Sequence, residues 1–564
     1  MKSSFSVVLV IVLYSLFSWL TNLPQDVGSD VPQGKLNSLS FAPFREGQGP
    51  MEKRFPTPEQ IDADLKLMGE TTHTIRTYAS SEGSMPVIPE LAGKYGLEMI
   101  QGAWLNPLVA DNKREVAELI RSANAHPDVV KRVMVGNEVL LRGDLKADQI
   151  IDYIREVKRA VKQPVSYADV WSEYMKHPEL IKEVDFITIH ILPYWEDKPI
   201  TVDQAPAHIE RIVKQVKEEA EKIAPGKAIL IGESGWPGEG RQRGWAVPSV
   251  VNEAKFIRAL IEVANKNSFD YNIVEAFNQP WKSAFEGVVG ANWGLYSVDR
   301  EEVFPLTGTV YENPDWYKHV ATSLLLFLIV VVFSWKHLQS LSSLQNFFFL
   351  LFAQTLAALL VSQAEHLWYT SYSDFQRLQT SLLVALNVLI GGLVLHRIQV
   401  QLTNTAIKPK LSQGLYALYI VFAGYVVFKT YGLALAGRYI SFPILTASIP
   451  AAGIIALIIT HYYKSAVLTL GFDGLLGFTS PKPHENKALG YLLITIGAAL
   501  LVGESSAFFV SRDFIAEHPG VLERLGWSLL HTFTNAQLIE WLTCLSVIAL
   551  PLISYQKVDE SQIS

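Results

Sequence analysis

Between residues 36 and 314, short apolar runs rich in Val, Ile and Met alternate with longer segments in which apolar positions recur every three or four residues among charges. Short runs with β-branched side chains read as strands, and the wider spacing reads as helices that bury one face. Eight strand-like runs end near Ala42, Thr77, Trp104, Gly136, Ala168, His190, Gly232 and Phe277, with helical partners expected over 58–68, 114–124, 147–161, 207–223 and 250–264. Strand and helix alternating over about 250 residues predict an α/β (β/α)8 TIM barrel, whose chemistry lies at the C-terminal ends of its strands.

The pattern changes from 319 to 557, where long apolar stretches recur with short polar breaks. Seven of them have roughly the 17–25 residues a bilayer needs, centred on Phe327, Gln354, Leu386, Ile420, Ile454, Ile496 and Ser546. An eighth apolar stretch, 5–20, follows Lys2 and is followed by Thr21-Asn22-Leu23-Pro24-Gln25, which lacks a small-x-small cleavage pattern. Residues 1–24 are therefore expected to be an N-terminal transmembrane anchor or uncleaved signal. The stretch 503–535 is too polar to span and mixes Phe508, Phe509, Phe514, Leu522, Trp527 and Leu530 with charges; one or two surface amphipathic helices, or a structured loop, are expected there. The chain thus divides into an anchor (1–24), a barrel (36–314) and an all-α multi-span transmembrane domain (319–557).

If the first segment enters from the cytoplasm, the barrel is exported and the chain ends inside. Lys336, Arg397, Lys408, Lys410, Lys464, Lys482, Lys487 and Lys557 then fall on the cytoplasmic side, against Arg377, Lys429, Arg438, Arg512 and Arg524 opposite, a bias of the expected sign. The composition agrees: over 564 residues, 49% are hydrophobic and the mean hydropathy is +0.19, high for a wholly soluble chain. A net charge of −7 and no basic stripe with interleaved aromatics argue against a nucleic-acid partner. The lone Cys544 excludes an intrachain disulfide and a cysteine-cluster metal site. No ligand cluster stands out, so no metal or cofactor is expected.

Two acidic motifs carry the chemistry. Gly136-Asn137-Glu138 and Gly232-Glu233-Ser234-Gly235-Trp236-Pro237 each stand where an apolar run stops, after the fourth and seventh strands. An isolated glutamate at a strand end is commonly a solvated loop residue, but two such motifs on well-separated strands can meet across one barrel mouth. A retaining glycosidase needs its carboxyl groups about 5–5.5 Å apart, one as nucleophile and the other as acid/base.

On Ile75-Arg76-Thr77-Tyr78, Val135-Gly136-Asn137-Glu138, Ile231 through Pro237, Phe277-Asn278 with Lys282, and Trp293-Gly294-Leu295, the barrel half resembles the family-17 glycoside hydrolases. The resemblance implies a retaining β-glucan enzyme with Glu233 as nucleophile and Glu138 as acid/base. Gln279-Pro280-Trp281-Lys282, where plant members typically carry an acidic residue, together with the run from Gly136 to Arg142, is similar to a membrane-linked bacterial branch associated with β-glucan glucosyl transfer. A location in a bacterial inner membrane, with the barrel periplasmic or extracellular, is the matching expectation.

Around the pair, Asn137 is placed to donate to the sugar 2-hydroxyl, and Arg76 to hold the nucleophile ionised. Tyr78, Trp104, Tyr167, His190, Tyr194, Trp236, Phe277, Gln279, Trp281 and Trp293 are the further substrate-binding candidates, since a sugar site needs flat apolar platforms and polar handles. Barrel cores also use aromatics, so only about half of these are expected to touch substrate. The expected activity is a membrane-integrated β-glucan glucosyltransferase that makes or remodels β-1,3 or β-1,6 linkages, with β-glucan or an activated glucose as substrate. The alternatives are a membrane-anchored endo-β-1,3-glucanase and a non-catalytic glucan-binding or transport module. Oligomeric state is not legible.

Overall fold

A computed structural model describes residues 2–554; Lys557 and the last residues of the expected 319–557 domain lie outside the described residues. The chain forms two compact units, one of them Pro24–Glu312 and the other joining the N-terminal helix to the chain beyond Glu312.

The first unit is a closed barrel of eight parallel strands in sequence order: β1 (Leu36–Ser40), β2 (Thr72–Arg76), β3 (Glu98–Ala103), β4 (Val130–Asn137), β5 (Val165–Val170), β6 (Ile187–His190), β7 (Ile229–Ser234) and β8 (Asp270–Ile273). The ring closes where Leu39 of β1 pairs with Ile273 of β8. Every residue of β6 and β7 is buried, as expected of parallel strands covered on both faces. The helices bury one stripe each. Pro58–Thr71 starts from a capping box of Thr57 and Gln60 and packs Ile61, Leu65 and Met68 inward, a 4–3 spacing that keeps them on one face. Val250–Asn267 starts from the Ser249 hydroxyl, which accepts from Asn252 N.

The eighth strand corrects one expectation. Its ladder ends at Ile273, not near Phe277, because a returning segment takes over the hydrogen bonds beyond it. Glu275 N donates to Trp293 O at 2.8 Å and Leu295 N to Glu275 O at 2.9 Å, while Phe277 keeps only an isolated bridge to Tyr296.

The second unit is helical. Lys2–Thr21, Trp316–Leu338, Ser343–Tyr369, Asp374–Thr403, Pro409–Leu435, Ile444–Ser465, Pro483–Phe509 and Ala536–Ile553 are each long and apolar enough to cross a membrane by length and composition. The seven expected centres fall inside the last seven. Their inner faces interlock through Leu493, Leu500, Leu538, Trp541 and Leu545, with Trp541 Nε1 donating to Thr430 Oγ1 at 3.2 Å. The 503–535 stretch is only partly as expected: Pro483–Phe509 continues through its first residues, and Arg512–Glu517 and Val521–Phe533 form two short helices. Glu504 is buried and Ser505 bonds Thr532 at 3.0 Å, so polar residues that would suit a loop are absorbed by side-chain partners.

Candidate active site

β4 delivers Glu138 and β7 delivers Glu233 to the same end of the barrel. Glu138 follows β4 directly, in the left-handed region (φ 52°, ψ 33°), and caps the short helix Val139–Arg142. That conformation is costly for a residue with a side chain. It turns the chain sharply and sends the carboxylate across the mouth. Glu233 is inside β7 and buried. Reactive atoms of Glu138, His190 and Glu233 all lie within 4.8 Å of one another.

Arg76, at the end of β2 and 1% exposed, ties these groups together. Its Nη1 donates to Glu233 Oε1 and to Gly232 O, both at 2.9 Å, and its Nη2 to Asn137 Oδ1 at 2.5 Å. The forked guanidinium therefore fixes a β7 carboxylate and a β4 amide together. His190 of β6 lies between the glutamates, with Nδ1 2.8 Å from Glu138 Oε1 and Nε2 3.6 Å from Glu233 Oε1. Burial alone would raise the Glu233 pKa, but the charges of His190, Arg76 and Lys282 outweigh it and hold the carboxyl below its ordinary range.

The remaining candidates divide. Tyr78 lies beside the pair: its hydroxyl meets Ser40 Oγ at 2.9 Å, and its ring lies 4.7 Å from the Arg76 guanidinium carbon. Trp104 and Trp281 are half-buried. Trp104 carries the Arg142 guanidinium 4.3 Å over its ring, and Trp281 Nε1 donates to Gln279 Oε1 at 2.8 Å. Trp293 stacks on Trp195 at an interplanar angle of 15°.

Tyr167, Tyr194, Trp236, Phe277 and Gln279, expected to bind substrate, instead face inward and expose nothing. Trp236 donates to Val247 O at 2.9 Å and packs on Tyr194 and Phe256. Tyr194 donates to Arg241 O at 2.5 Å, and Phe277 sits edge-on to Phe41. Gln279 donates to Ala42 O at 2.7 Å and to Phe277 O at 3.1 Å. Each of these side chains is consumed in holding strand-end loops, so none offers a face to a sugar.

Several residues escaped the sequence reading. Asn272 of β8 donates to Ser40 Oγ and Gly232 O at 2.8 and 2.9 Å, beneath the carbonyl that Arg76 also uses. Glu275 is ion-paired with Lys282 at 2.8 Å. Burial lifts its pKa to about 7 against the pull of Lys282, with Glu286 and Glu233 adding to the rise. Asp169 of β5 is fully buried. The available signal was a polar residue interrupting an apolar strand, visible in Tyr271-Asn272-Ile273 and Ala168-Asp169-Val170.

A TIM barrel with paired glutamates from the C-terminal ends of β4 and β7, locked by a buried arginine, defines the class as a glycoside hydrolase. Residues 38–294 match the BtgE/BtgC glycoside hydrolase domain, and the chain belongs to that family. It is 30% identical over 283 residues to a glucan 1,3-beta-glucosidase of Arthroderma benhamiae, spanning 48% of this chain and 87% of that protein. It is 26% identical over 268 residues to a glucan 1,3-beta-glucosidase of Schizosaccharomyces pombe, spanning 44% and 77%. Among solved structures, a beta-1,3-glucanosyltransferase active-site mutant from Rhizomucor miehei with laminaritriose is 27% identical, covering 48% of this chain and 96% of that one at a TM-score of 0.42.

Proposed function

We propose that this enzyme is a membrane-integrated, retaining β-glucan glucosyltransferase that makes or remodels β-1,3 or β-1,6 linkages. The observation that carries the reading is the closeness of Glu138 and Glu233, with reactive atoms within 4.8 Å. An oxygen-to-oxygen approach of that size is in keeping with the roughly 5–5.5 Å between the carboxyl groups of a retaining enzyme, at which one attacks the sugar directly.

The roles follow from the contacts. Glu233 Oε1 is taken by Arg76, which leaves the other oxygen to attack the anomeric carbon. Glu138 protonates the departing glycosidic oxygen, and a glycosyl ester forms on Glu233. In the second half, an acceptor hydroxyl gives its proton to Glu138 and attacks the same carbon, which regenerates Glu233 with net retention. Asn137, whose oxygen is held by Arg76, presents its NH2 group toward the sugar 2-hydroxyl. Trp104, Trp195 and Trp281, each half-buried, supply apolar platforms.

The apolar outer surface of the helical unit supports membrane integration. Phe333, Val332 and Phe428 expose 84%, 73% and 68% of their surface on helices that are each long and apolar enough to cross a membrane. In the topology we propose, the barrel lies outside the cytoplasm. The similarity of Gln279 through Lys282 to the membrane-linked transferase branch supports transfer, while the glucosidase names of the relatives support a second reading, hydrolysis.

One experiment separates the two. The full-length protein in detergent is incubated with laminari-oligosaccharides or with nucleotide glucose, followed by linkage and anomeric analysis. Transfer predicts longer or branched products with retained configuration; shorter products alone would establish the hydrolase. Glu233→Gln and Glu138→Gln are each expected to lower turnover by about a thousandfold or more. Glucan binding that persists in both variants, with no product formed by the parent protein, would establish a non-catalytic module.

A further inference from the structure

Glu138 must hold a left-handed backbone that an L-residue does not favour, so something other than its own preference keeps it there. The contacts of the turn show what does. Glu138 N donates to Ala168 O at 2.8 Å, which hangs the turn on β5. Two residues on, Leu140 N donates both to Tyr167 Oη at 3.0 Å and to Asp169 Oδ2 at 3.1 Å. Tyr167 Oη in turn donates to that same Asp169 oxygen, and Asp169 Oδ1 accepts from Val170 N at 2.8 Å. Both side chains are wholly buried. A carboxylate has been placed under the helix Val139–Arg142, where its first turn has backbone N–H groups without helical partners.

Resting on the assignment of Glu138 as acid/base, we propose that Asp169, together with Tyr167, is the positioning group that locks the left-handed turn and aims Glu138 at the glycosidic oxygen. Asp169 touches no substrate. Burial pushes its carboxyl up to about 6, with Tyr167 opposing and the charge of Glu138 adding to the rise. An amide in its place leaves one oxygen where Leu140 N, the Tyr167 hydroxyl and Val170 N now share two, and sets an NH2 group against a donor on the other side. The turn then relaxes toward ordinary φ, and Glu138 swings away while Glu233, held by Arg76 from another strand, stays in place.

This predicts a split that general loss of folding cannot produce. With 2,4-dinitrophenyl β-laminaribioside the leaving group departs without acid assistance, so Asp169→Asn should still release a burst of one dinitrophenolate per active site as the Glu233 ester forms. Steady-state turnover, which needs Glu138 as base, should fall by about a hundredfold. Azide should restore it: the anion attacks the anomeric carbon, the ester C–O bond breaks, Glu233 leaves as carboxylate and a β-glycosyl azide appears. Tyr167→Phe keeps the ring and should show the same pattern more weakly, and it carries the test if Asp169→Asn does not fold.

Glu138→Ala is the control. If it shows the burst and azide rescue while both positioning variants turn over like the parent, or lose burst and turnover together without azide response, the Asp169 proposal is overturned alone. If Glu138→Ala itself shows no azide response, the acid/base assignment falls first.

Discussion

Arg76 does at residue scale what no single carboxylate can do for itself. Glu233 is buried, and a buried carboxylate without a counter-charge protonates. Here the charges of His190 and Arg76 reverse that tendency. Arg76→Met removes one of them, together with the hydrogen bonds to Glu233 Oε1 and Asn137. The nucleophile is needed ionised, so the acid limb of kcat/KM should move upward by roughly 1–3 pH units, with a fall in kcat at the optimum. Arg76→Lys keeps the charge but not the fork, so it should return the limb most of the way without recovering full activity. A pH profile on oligosaccharide substrate in detergent reads both; a limb that stays put in Arg76→Met would remove the electrostatic role.

At the scale of elements, the site is an arrangement of strand ends, and that explains what the sequence could and could not disclose. The eight runs, the end of the last apart, and the placement of both glutamates at one end of the barrel were legible because parallel strands are continuous apolar stretches and barrel sites lie at strand ends. The orientation of aromatics was not legible: Trp236 and Trp104 read alike in sequence, yet one is sealed against Tyr194 and Phe256 and the other is half-buried under the Arg142 guanidinium. The contributions of Asp169 and Glu275 were hidden because they depend on a neighbouring strand or on the returning segment after β8. Gly235 is a closer case. A Cβ there would run into the Val274 carbonyl oxygen and the Trp293 ring, so Gly235→Ala should force β7 and the start of the post-β8 segment apart, with a loss of about 1–3 kcal/mol measurable by denaturant unfolding.

The same segment carries a pH signature. Glu275 has a folded pKa raised from 4.5 to about 7, so the native state binds its proton more tightly than the unfolded chain. That contribution is fully present below its unfolded value and is lost as pH rises through about 7. Asp169 acts with the same sign over a lower window, up to about 6. Glu233, with a lowered value, acts oppositely and only on the acid side. The melting temperature should therefore decline between about pH 5 and pH 8. Glu275→Gln leaves Lys282 without its partner and lowers the melting temperature overall, but it should flatten that slope, and an unchanged slope would mean that another group is responsible.

For the whole molecule, the proposed membrane topology makes a separate prediction for each loop. In the proposed topology each of the eight helices of spanning length among the described residues crosses once, which would place the barrel, inserted after the first helix, on the side opposite Lys2. On that topology Lys408 and Lys482 fall in loops of the starting side and Arg438 in a loop of the barrel side, as the positive-inside bias would have it. Cys544 is the only thiol, and it is buried in the last helix, so Cys544→Ser should give a thiol-free background at little cost to folding. Single cysteines introduced at Lys408, Lys482, Arg438 and Glu196 can then be treated on intact cells with a membrane-impermeant maleimide. Arg438→Cys and Glu196→Cys should label without lysis, because one stands in an outer loop and the other in the barrel, and Lys408→Cys and Lys482→Cys only after it. Labelling of Lys408→Cys in intact cells would invert the arrangement and bring the paired glutamates to the cytoplasmic side, where a nucleotide-activated donor becomes the natural substrate. Labelling of all four would mean that the helical unit does not span at all.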